Sequence, residues 1–191
     1  MTTADLEIIS FKSSRQWEVW LAKNHSKTRG IWVQFFRKGS SKKTISHAEA
    51  LDVALCYGWI DGQAKGYDEE SWLQKFTPRR ARSIWSKRNI ANVERLAKEG
   101  KMKPAGLAEI TAAKSDGRWE RAYDSPRSMA MPEDFLKHLS KHKTAQALFK
   151  TLNKANTYAI AWRLQTAKKP ETREKRMQAI LAMLSRGEKL H

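Results

Sequence analysis

Residues 59–78 read WIDGQAKGYDEESWLQKFTP, and the fold turns on how they are read. The two runs WIDGQAKGYD and SWLQKFT carry β-branched and aromatic residues that suit a pleated, half-buried backbone, and they flank an acidic turn. Thr77-Pro78 closes the second run, because proline lacks the N–H a ladder needs and pushes the residue before it out of helical geometry. The stretch predicts paired strands. Gly58 and Gly62, around Trp59-Ile60-Asp61, let the backbone turn tightly and approach a ligand or another strand.

Towards the N-terminus, SHAEALDVALCYG places Ser46 and Glu49 at capping-box spacing and predicts a helix that buries Ala50, Val53, Ala54 and Tyr57 and stops at Gly58. Before it, IWVQFFRKG after Gly30 reads as a strand. In SSRQWEVWLAKNHSK, Ser13 or Ser14 is the N-cap, and Trp17, Trp20 and Leu21 recur at i, i+3, i+4, which marks an amphipathic helix. Helix, strand, helix, strand, strand makes a small α+β unit with helices on one face of its sheet.

Beyond Pro78 the pattern becomes helical. Residues 86–99 place Ile90, Val93 and Leu96-Ala97 at helical spacing before Gly100, and Pro104 opens a short helix that closes at Gly117. Residues 119–132 read as a loop, least ordered at DSPRSMAMP. Three helical patterns follow at 132–140, 142–153 and 154–167. Pro170 then opens a last helix with Met177, Ile180, Leu181 and Leu184 on one stripe and Gly187 as its stop. The fold class expected is therefore α+β: an N-terminal sheet-and-helix unit, 1–82, and a mostly helical region, 83–191, packed on it as one domain.

A chain of 191 residues with eight Trp, six Phe and four Tyr can bury a core without staples. Cys56 is its single cysteine, so no internal disulfide can form. The first residues hold no apolar stretch of signal-peptide length and no segment reaches the roughly 18 apolar residues of a membrane span. A soluble, cytoplasmic protein is expected. The formal net charge of +17 draws in nucleic acid, anionic membrane surfaces or phosphorylated small molecules.

That charge is densest in KFTPRRARSIWSKRN, residues 75–89, where Arg79, Arg80, Arg82, Lys87 and Arg88 surround Trp85. Two readings stand. Asp61 pairs with one arginine, Trp59 and Trp85 belong to the core, and the other cations are solvated. Alternatively the arginines and a helix N-terminus near Ser83–Ser86 form an anion pocket. Trp85 would then be its stacking platform, with Asp61 and Gln63, on one strand face with Trp59, orienting the arginines.

ALCYGWIDGQ and LQKFTPRRARSIWSKRN, with GKMKPAG, AKSDGRWERAYD and AKKPETREKR in the same order, resemble the YdeI/OmpD-associated family, also called bacteriocin-protection proteins. The resemblance implies a link to bacteriocin tolerance or outer-membrane protein context, and it implies no catalytic residues.

Other chemistry finds little support. Cys56 lies in an apolar helix without a base on its face. His138 and His142, alone at i, i+4 among the histidines, lack a third ligand, so no metal is expected. Asp61 with Asp116 or Asp124 would be an acid–base pair that no spacing requires. No Gly-rich phosphate loop, GxSxG or CxxC occurs, and no cofactor is expected. The favoured reading is a non-enzymatic binder of an anionic ligand, active in bacteriocin or stress tolerance. The alternatives are an enzyme acting on a phosphorylated or nucleotide-like small molecule with Asp61 as base, a nucleic-acid-binding protein, and a module that docks a protein partner.

Overall fold

The computed structural model describes residues 6–125 and 128–190; Ser125 therefore adjoins two residues of the predicted loop that lie outside the description, as does His191. The described elements run β1 (Ile8–Ser10), α1 (Ser14–Asn24), β2 (Ile31–Phe36), α2 (His47–Cys56), β3 (Trp59–Gly66), β4 (Ser71–Pro78), α3 (Lys87–Lys98), α4 (Pro104–Ser115), α5 (Glu133–Leu139), α6 (Lys143–Lys150), α7 (Lys154–Gln165) and α8 (Pro170–Ser185). The α+β class is as the sequence implies. The sheet has four strands in the order β1-β2-β4-β3, with β3 and β4 forming the antiparallel hairpin of residues 59–78 and β4 pairing antiparallel to β2. β1 is added in parallel to β2, Ile8 opposite Trp32.

Local chemistry sets the helix starts. The Ser13 hydroxyl accepts from the Gln16 amide and opens α1. At α2 both halves of the capping box are made: Ser46 accepts from the Glu49 amide, and the Glu49 carboxylate accepts from the Ser46 amide. These hydrogen bonds hold the Glu49 carboxyl below its ordinary range.

Helices α1 and α2 cover one face of the sheet. Trp17 of α1 sits 5.8 Å from the Phe76 ring and 6.1 Å from Trp59, and its indole N–H donates to the Ala50 carbonyl at 3.0 Å. His47 of α2 lies against Phe35, Trp72 and Phe76 of the same face. The opposite face carries Trp32, Gln34, Lys65 and Lys75, alternating with the covered positions along each strand.

The buried side of α2 is wider than expected. Leu51, Leu55 and Cys56 are buried with Ala50, Ala54 and Tyr57, whereas Val53 is only half-buried. The reason is that α4 packs on the helix from its other side. Gly106 comes so close that a Cβ there would meet the Cys56 carbonyl oxygen at 2.3 Å, so only glycine fits.

Contacts divide the chain into two units. The first comprises the chain up to Trp85 together with Asn89–Glu120, so α4 and most of α3 group with the sheet; the second comprises Ser86–Arg88 and the chain from Arg121 on. The core of the second unit is Phe135, Leu139, Ile160, Leu164 and the α8 stripe Met177, Ile180, Leu181 and Leu184.

Candidate functional site

The basic stretch after β4 folds into a turn whose cations meet different fates. Arg79 is turned inward, 7% exposed. Its guanidinium carbon lies 3.6 Å from the centre of the Trp85 ring, and Nη1 donates to the Ile84 carbonyl. A planar, weakly hydrated guanidinium on an indole face offsets part of the cost of burying a charge. Trp85 is 1% exposed, so it has no face to offer a ligand. Its other neighbour is Trp119 at 5.3 Å, over which Lys114 sits at 5.0 Å. A row of cation, ring, ring, cation results, within the first unit.

Arg118, 6% exposed, ties this row to the turn. Its Nε donates to Asp116, at 2.6 Å, and Nη1 donates to the Ser83 carbonyl at 2.9 Å. Arg80 and Arg82 project from the same turn and are exposed. Ser83 closes it, its hydroxyl accepting from the Arg80 amide and its amide donating to the Arg80 carbonyl. Arg82 has φ 71°, a left-handed conformation that side chains other than Gly and Asn adopt rarely and at a cost. Among the described residues neither Arg80 nor Arg82 makes an ion pair.

The remaining predicted residues lie elsewhere. Lys87 belongs to the second unit, 2.8 Å from the Asp124 carboxylate, and this contact, with the Gln165 amide, holds the Asp124 carboxyl below its ordinary range. Arg88 follows it, exposed, in the first turn of α3. Trp59 is core, its indole N–H donating to the His25 carbonyl at 3.0 Å. Asp61 pairs with His47, 3.2 Å away, and with no arginine among the described residues. Gln63 is exposed, and the register shift between Asp61 and Ala64 breaks the alternation that would have put it on the Asp61 face. Trp119 and Arg118 escaped the sequence reading as parts of this cluster; their one signal was the basic and aromatic pair directly after the Asp116-Gly117 turn.

None of these residues lines the main cavities. One of these cavities, about 430 Å³, lies among α1, α2 and the segment after α3. Its carboxylates are already engaged: Glu18 with Lys103 at 3.0 Å, Asp52 with Arg95 at 2.6 Å, Glu49 in its capping box. The Cys56 thiol on its wall is pushed up to about 11, chiefly by burial, which leaves it protonated and a poor nucleophile at neutral pH. Among the described residues no group of three or more metal-ligating side chains occurs, and no helix is long and apolar enough to cross a membrane.

Comparison with known families divides the chain much as its contacts do. Residues 9–109 match the family model described as Domain of unknown function (DUF8412). The match takes in more than half of the chain, which belongs to that family. Residues 128–187 match the model described as Bacteriocin-protection, YdeI or OmpD-Associated, so the C-terminal part is of the YdeI/OmpD-associated type. Of the blocks that carry the resemblance, AKKPETREKR falls inside this second match, while ALCYGWIDGQ, LQKFTPRRARSIWSKRN and GKMKPAG fall inside the first. No curated protein and no solved structure matches the chain.

Proposed function

We propose that this protein is a non-enzymatic binder of an anionic ligand, held by the turn from Arg79 to Ser83. The observation that carries the reading is the pair Arg80 and Arg82: exposed, and without a carboxylate partner among the described residues. The turn beneath them is anchored by Arg79 on Trp85 and by Arg118 on the Ser83 carbonyl. Guanidinium is the side-chain group best suited to fork onto phosphate or carboxylate, and two of them stand exposed on this braced turn. The strained φ of Arg82 agrees with this, because strain persists where surrounding contacts impose it, often at sites of function. The net charge of +17 adds long-range attraction for the same class of ligand. A cytoplasmic location and a role in bacteriocin or stress tolerance are part of this proposal; the description of the model that matches residues 128–187 supports its bacteriocin part.

The test is binding of labelled inorganic polyphosphate, titrated at low and near-physiological salt, to wild type and Arg80→Ala/Arg82→Ala. Saturable binding that the double variant weakens about tenfold or more, at unchanged melting temperature, is expected. The same variant should fail to restore tolerance in a bacteriocin-sensitive strain that lacks the protein. Equal binding by the two proteins would refute a site at this turn.

A further inference from the structure

We propose that the ligand is single-stranded nucleic acid, and that it runs from this turn across the sheet face turned away from α1 and α2, with Trp32 as the ring on which a base stacks. The inference rests on the anion-binding reading above and names the class of ligand.

Trp32 stands opposite Lys75 in the β2–β4 register. Its indole is half-buried, Lys65 Nζ lies 4.5 Å from the ring centre and Lys75 Nζ lies 6.0 Å from it. The alternation of β2 puts Phe36 on the same face, and Lys42 Nζ sits 5.1 Å from that ring. Two ring-and-lysine pairs thus follow one another along a single strand. Ile8 on the neighbouring β1 is 41% exposed, and Trp32 and Phe36 are half-buried, so this face meets solvent over β1 and β2, although Ser71 and Leu73 of β4 on the same side are buried. The other face meets Trp17 and His47.

An accessible tryptophan beside two ammonium groups suits a ligand that has both a flat ring and a negative charge at short intervals. Single-stranded nucleic acid has both. A duplex hides its bases in its own stack, and a bare polyphosphate has no use for the indole. The path is continuous with the turn. From Lys75 beside Trp32, β4 runs on to Pro78 and then to Arg80, a reach of about 16 Å at most for five extended residues. Backbone phosphates over Lys65 and Lys75 would continue onto Arg80 and Arg82.

The experiment compares, by fluorescence anisotropy at near-physiological salt, a labelled oligothymidine with an abasic oligomer of the same length and charge. Wild type should bind oligothymidine about tenfold more tightly than the abasic strand. Trp32→Ala should bring the two ligands level, and Arg80→Ala/Arg82→Ala should weaken both alike. Crosslinking a bromouridine oligomer to wild type needs no variant and should label the peptide that contains Trp32. Equal binding of the two oligomers by wild type, or crosslinks only outside β2 and β4, would overturn the stacking site and leave the anion-binding turn standing. Failure of both oligomers and of polyphosphate to bind would remove the turn as well.

Discussion

Arg79 and Arg82 lie three positions apart and divide the work of the basic turn. Arg79 spends its charge internally, on the Trp85 ring and the Ile84 carbonyl, and so fixes where the turn leaves β4. Arg82 meets solvent with φ 71°, and the anchors on either side hold it there. Replacing Arg82 separates the backbone from the charge. Arg82→Val should cost about 1–2 kcal/mol in urea unfolding, since a β-branched residue suits a positive φ worst. Arg82→Gly should leave stability level or slightly raised, because glycine takes that conformation freely. Both variants should bind polyphosphate more weakly. A valine variant as stable as wild type would mean that the turn relaxes and is not braced.

At the scale of elements, α5 and α8 are joined by the ion pair of Asp134 with Arg173, in which the two terminal guanidinium nitrogens, Nη1 and Nη2, donate to the carboxylate. Arg173 is the main reason the Asp134 carboxyl is held below its ordinary value, about 3.9 for an unperturbed aspartate. Because the folded value is depressed, the pair's contribution is complete above the unfolded value and is lost as pH falls through the folded one. Both side chains are partly exposed, so about 1 kcal/mol is a fair size. Melting temperatures of wild type and Asp134→Asn should differ at pH 7 and converge as pH falls from about 5 towards 2; a gap that stays constant would show that the pair does not set it. Elements of this kind were readable where local signals suffice. The hairpin of residues 59–78, the Ser46–Glu49 capping box and the α8 stripe follow from turn residues, cap spacing and period. β1 was not readable, since its three residues carry no period and exist as a strand only by pairing with β2. The bulge that moved Gln63 off the Asp61 face, and the choice of His47 as partner for Asp61, are tertiary facts with no local signature.

At the scale of the whole molecule, a net charge of +17 says which ligands are attracted but not where they settle. Of the five cations that crowd residues 79–88, Arg79 is turned inward onto Trp85 and Lys87 pairs with Asp124, while Arg80, Arg82 and Arg88 make no ion pair among the described residues. Sequence could count those charges but could not sort them, because which arginine turns inward depends on where Trp85 and Arg118 pack. Arg118 lies well beyond the basic run and was not read as part of it. The two family matches, residues 9–109 and 128–187, put Arg80 and Arg82 in the first and the α8 core in the second. Anion binding local to the turn would be read residue by residue in the amide chemical shifts of the labelled protein during titration with a short polyphosphate. The shifts should concentrate on residues 79–84 and on Arg118, and saturate. Small shifts spread over every lysine-rich surface, growing without saturation and vanishing with salt, would contradict it and reduce the charge to a general property of the protein.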